Sequence, residues 1–139
     1  MEEIKNDLTK YLIDIINPFI IVFGFYVILY GDISPGGGFQ GGAILASVFI
    51  LQYLSKPLNE IGIGKMQIIE KFFYLLIVLV PILSIFTRNI MFTNFVDPTT
   101  SLYSRFYLII MNLLIGMKVS LGLTVIFYEF VMHERRWSK

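Results

Sequence analysis

The chain has 139 residues, of which 56% are apolar and 15% charged, and its formal net charge is +1. Its mean hydropathy of +0.74 implies more apolar surface than a soluble domain of this length can bury, so a membrane protein is expected. The charge balance gives no basis for a nucleic-acid or acidic-substrate partner, and zero cysteines with one histidine leave no iron–sulfur cluster or zinc site of the usual kind, so no metal or cofactor is expected.

Ile4, Leu8, Tyr11, Leu12 and Ile15 recur at three- and four-residue spacing with Lys5, Asp7 and Lys10 between them. This pattern predicts a short N-terminal amphipathic lead-in at the membrane surface. The opening residues are acidic where a signal peptide is basic, so no cleavable targeting segment is expected. A bilayer core of about 30 Å needs about 20 residues of helix, which sets the first span at 11–30 and takes in Asp14, Asn17 and Pro18. Asp14 is expected to be wetted at the interface, with a role in an ion path as its weaker reading, and Asn17 to cap a turn beginning at Pro18. A second span, 35–54, carries no charged residue. Ser34 reads as its N-cap and Pro35 as its first helical residue. Residues 55–65 have loop chemistry. A third span follows at 68–87, and Pro81 is expected to bend it. Residues 88–105, with Asp97 and Pro98, form the longest connection. The fourth span is 106–130, followed by a polar tail.

The expectation is an all-α, multi-pass protein of the plasma membrane, a single membrane domain with four transmembrane helices. Lys5, Lys10, Lys56, Lys65, Lys71, Arg135, Arg136 and Lys139 fall on one side of such a bundle, against Arg88 and Arg105 on the other. The positive-inside rule then predicts both termini in the cytoplasm and the glycine stretch at the outer face, dipping inward.

That stretch, 32–43, holds five of the eleven glycines. Each costs a helix about 1 kcal/mol against alanine, so something else must favour them. In one reading Gly38, Gly42 and Ala46 form a small-residue stripe that lets another helix approach closely. In the other, bare amides face an anion, an ion or a water path. Nucleotide binding is not expected, because no Lys-Ser/Thr pair follows the glycines. Lys118 lies at the middle of the fourth span, about 18 Å along the axis from either end, beyond the reach of its own side chain. It therefore requires a protein partner, a carbonyl or water: a structural ion pair, a member of a proton or ion path, or a lysine held neutral by burial. Gly122, Val125 and Glu129 share its face, and Asn112, Gly116, Ser120 and Thr124 line the opposite one. Two such faces on one helix argue for a partner subunit. Asp32 precedes the glycines, where a carboxylate favours a helix start; ion entry is its second reading. Glu70, beside Lys71, is expected at the interface. Trp137, Tyr103 and Tyr107 are expected to anchor there as well.

The run Ser34-Pro35-Gly36-Gly37-Gly38-Phe39-Gln40-Gly41-Gly42 resembles the signature of the B subunit of Mrp-type multisubunit sodium/proton antiporters, and the similarity in length, hydropathy and number of spans extends over most of the chain. The resemblance implies a small accessory subunit that works beside a large antiporter-like subunit, moving Na+ and H+, without carrying out a reaction alone. Related modules occur in archaeal membrane-bound hydrogenase and sulfur-reducing complexes, where ferredoxin oxidation drives ion pumping. Gln40 stands where antiporter members carry an aliphatic residue, so both assemblies stay open. The implied functional core is Pro35 and Phe39 with Gly36, Gly37, Gly38, Gly41 and Gly42, while Lys118, Asp14, Asp32 and Glu129 rest on the physical argument. A purely structural assembly subunit is the competing reading. A stand-alone enzyme lacks a nucleophile–base set and a metal cluster.

Overall fold

The computed structural model describes residues 2–55, 62–89 and 101–137. They form α1 (Glu2–Leu29), α2 (Gly38–Ser55), α3 (Ile63–Ile82), the short α4 (Ser84–Arg88) and α5 (Ser101–Trp137), with no strand among the described residues. Asp7–Leu29, Ile63–Phe86 and Ser104–Glu134 are long and apolar enough to cross a membrane, and α2 carries the shorter apolar stretch Gly38–Tyr53. At 1.5 Å per residue α2 is about 27 Å long, close to the thickness of the hydrocarbon core. The chain is an all-α membrane protein of four spans.

The helix boundaries differ from the sequence reading at several places, each for a local reason. The amphipathic lead-in and the first span are one helix, unbroken at Pro18. Asn17 therefore caps no turn; it is buried inside the helix. A proline in a spanning helix removes the hydrogen bond to the carbonyl four residues back, here that of Asp14, without ending the helix. α3 starts at Ile63, five residues before the expected 68, and Pro81 closes it rather than bending it in mid-course. The chain turns at Leu83, whose N–H donates to the carbonyls of Leu79 and Val80, both at 3.3 Å. Ser84 Oγ donates to the Pro81 carbonyl at 2.6 Å as α4 begins. α5 extends beyond 106–130 at both ends, because neither flank described contains glycine or proline. Its last turn is tied by Trp137, which stacks on His133 and donates Nε1–H to His133 Nε2 at 3.4 Å. Asp97, Pro98, Lys56 and Lys139 lie outside the described residues.

α2 packs between α1 and α5, and α5 also touches α1 and carries α3, which meets neither α1 nor α2 among the described residues. Facing pairs give the directions. Gly38 meets Asn112, Gly42 meets Gly116, and Tyr53 stands edge-on to Phe127 and Tyr128, so α2 and α5 run parallel. Gly24 meets Leu45, and Gln67 meets Glu129 while Glu70 meets Lys118, so α1 and α3 run the other way. The alternation is that of four successive crossings. Ile28, Leu45, Ala46, Val48 and Tyr128 fill the core between α1, α2 and α5, whereas Phe19, Val22, Ile68 and Phe72 stay on the outside, where lipid is as good a solvent as the core.

Candidate functional site

Gly36 and Gly37 have φ of +135° and +136°, a region that side chains rarely tolerate, and carry the chain from the end of α1 into α2. Ser34 is tied to the turn that follows the first of these helices, not to the start of the second: its N–H and its Oγ both donate to the Tyr30 carbonyl at 2.9 Å. The first bond of α2 runs from Gly41 N–H to the Gly37 carbonyl at 3.0 Å, so Ser34 and Pro35 precede the helix they were expected to start. The cap comes from elsewhere. Asn112 Oδ1, on α5, accepts from Gly38 N–H at 3.3 Å, satisfying one of the amides that a helix start leaves free.

The glycines after this cap stand where three helices converge. A methyl group on Gly42 would lie 2.5 Å from the Gly116 carbonyl of α5, and one on Gly41 would lie 2.7 Å from the Gly24 carbonyl of α1 and against Ile28. Ile28 is fully buried and also touches Gly116. The motif glycines thus meet α1 and α5 of their own chain. Phe39 points away from this junction and is 65% exposed. Asp32 does not serve a helix start. Its Oδ2 accepts from Arg105 Nε at 2.7 Å, its side chain is 1% exposed, and its Oδ1 is buried without a hydrogen-bond partner. Arg105 was missed as a site residue, since a positive charge in a loop reads only as a topology marker.

The second part of the site is the seam between α3 and α5. Lys118 Nζ lies 3.3 Å from Glu70 Oε1, and the two side chains are 36% and 23% exposed. Because α3 begins early, Glu70 sits about 10 Å into the helix rather than at its interfacial start. Gly122, one turn after Lys118, presents only backbone beside the Glu70 carboxylate. Farther along, Gln67 Nε2 donates to Glu129 Oε1 at 3.5 Å. On the other face of α5 Ser120 and Thr124 are buried, with Thr124 Oγ1 donating to the Ser120 carbonyl at 2.7 Å. Both faces of α5 are therefore met from within the chain, by α2 and by α3, the second only in part, since Lys118 stays partly exposed and Glu129 exposed on the α3 side. Asp14 is exposed on α1, away from either cluster. Among the described residues no group of three or more His, Cys, Asp or Glu is placed to hold a metal.

Comparison with known proteins bears on the same residues. The family described as "Domain related to MnhB subunit of Na+/H+ antiporter" matches residues 8–125. The chain belongs to this family. The matched span takes in the glycine junction, Asp32, Arg105, Glu70 and Lys118. Relatives of this MnhB-related chain carry the name "Putative antiporter subunit mnhB2". Those from Staphylococcus epidermidis and Staphylococcus haemolyticus are 43% identical over 58 residues, covering 41% of this chain and 41% of theirs. One from Staphylococcus aureus is 48% identical over 42 residues, 30% of each chain. With its four apolar spans, this member of the family is a multi-pass protein of the plasma membrane.

Proposed function

We propose that this MnhB-related chain is an accessory subunit of a multisubunit sodium/proton antiporter, a transport component rather than an enzyme. In this reading its partners are the other membrane subunits of the Mrp-type assembly, and its own contribution is the Lys118–Glu70 pair in the α3–α5 seam. The pair is the observation that carries the reading. Two opposite charges within a span cost more to place there than an apolar pair of the same volume, which would hold two helices together at least as well. A charged pair kept there fits a task that needs charge, the passage of protons or cations. The glycine junction has the complementary role: it fixes α2 against α5, and thereby the position of the helix that bears Lys118.

The test is Lys118→Ala in the complete complex, in everted membrane vesicles. The expected result is a complex of unchanged subunit composition whose sodium-dependent proton movement falls at least tenfold. Wild-type transport by that variant would leave only the scaffold reading. Subunits that co-purify in mild detergent identify the assembly, and a hydrogenase-like catalytic subunit among them would place the chain in the redox-driven complexes instead.

A further inference from the structure

The Lys118–Glu70 pair is the inner end of a longer polar row. Gln67 lies one turn before Glu70 on α3, Gly122 one turn and Glu129 three turns beyond Lys118 on α5, and the Gln67–Glu129 hydrogen bond joins the two helices at the outer end. Eleven residues separate Lys118 from Glu129, about 16 Å along the axis. A cleft of about 770 Å³ opens along α5 beside that outer end, with Glu129, His133 and Glu134 in its wall among five apolar side chains of the same helix. An ion pair left 36% and 23% exposed within a spanning segment faces lipid, a neighbouring subunit or water, and ionised groups at that depth draw water.

We infer that the α3–α5 seam is a water-filled half-path, open at Glu129 on the face where α3 begins, that delivers protons to the Lys118–Glu70 pair. This inference rests on the transport reading of the pair given above. The ammonium 3.3 Å from the Glu70 carboxylate repels any metal cation from the same oxygen. A proton need not approach as a separate cation, because the ammonium already holds one beside that oxygen. Transfer from the Lys118 ammonium to the Glu70 carboxylate leaves a neutral amine and a neutral acid; the amine then takes a proton from a seam water, leaving hydroxide, and the acid gives its proton to that hydroxide through the water chain, which restores the ion pair. Gln67 and the backbone at Gly122 supply polar partners for water between the pair and Glu129.

The chain has no cysteine, so single thiols report the path directly. Gln67→Cys, Gly122→Cys and Glu129→Cys are each placed in the complete complex in membrane vesicles. They are treated with a charged, membrane-impermeant thiosulfonate from one side or the other, and labelling is read from the mass of this chain. Phe72→Cys and Leu79→Cys, at exposed outward positions on α3, are the lipid-facing controls, since only a hydrated thiolate reacts. The expected result is labelling of the seam positions at least tenfold faster than the controls, and from one side only. Seam rates equal to the controls overturn the half-path. Gly122→Cys or Gln67→Cys, whichever assembles, decides the question, with Glu129→Cys marking the mouth, and wild-type complex carries the parallel transport assay. Antiport with silent seam thiols removes the half-path alone; rapid seam labelling without antiport in the wild type removes the transport reading while the wet seam stands.

Discussion

Asp32 and Arg105 are partners of unequal standing: the aspartate side chain is 1% exposed and the arginine 53%. Losing the arginine strands a carboxylate away from water, whereas losing the aspartate leaves a guanidinium that water and headgroups solvate. Arg105→Ala is therefore expected to cost about 2–3 kcal/mol and Asp32→Ala less than half of that. Thermal unfolding of the purified chain in detergent measures both, and equal losses would contradict the burial argument. Lys118 and Glu70 are closer to equal. Lys118→Met and Glu70→Gln are each expected to destabilise the fold, and the double variant by less than the sum, with a coupling on the order of 1–2 kcal/mol. Strict additivity in that cycle would mean that the two side chains do not interact.

At the level of helices, the glycines divide by what surrounds them. Gly42→Leu drives a side chain into the Gly116 carbonyl and Val119, and is expected to abolish accumulation of folded protein, read by size-exclusion chromatography. Nothing lies within 4 Å of a methyl group on Gly64, so Gly64→Ala is expected to be neutral or to stabilise α3 by up to about 1 kcal/mol. A tolerated leucine at position 42 would refute the close approach of α2 and α5. The helices themselves were readable in the hydropathy, and so were the two faces of α5, since helical periodicity needs no knowledge of partners. What occupies each face was not readable. The start of α2 was misread because Ser34 and Pro35 satisfy every local rule for a helix start, while the group that caps it, Asn112, is 74 residues away. Glu70 was misjudged for a related reason. Gly62 and Gly64 look like loop, so local chemistry starts the helix late and puts the carboxylate at its rim.

The molecule is assembled around α5. α1 and α2 hold each other as well as α5, whereas α3 depends on α5 alone for its long-range contacts among the described residues. Fewer supports imply easier local opening. Backbone amides of α3 are expected to exchange with deuterium at least tenfold faster than those of α2 in detergent, as read by mass spectrometry, and equal protection would contradict this hierarchy. α5 also carries, six residues apart, the side chain that caps α2 and the one that pairs with α3. That interval is about 9 Å of continuous helix. A rod gripped at two such near points transmits thrust: whatever pushes on the mouth of the second helix also moves the lysine, and whatever pulls the lysine from its carboxylate tugs at that mouth.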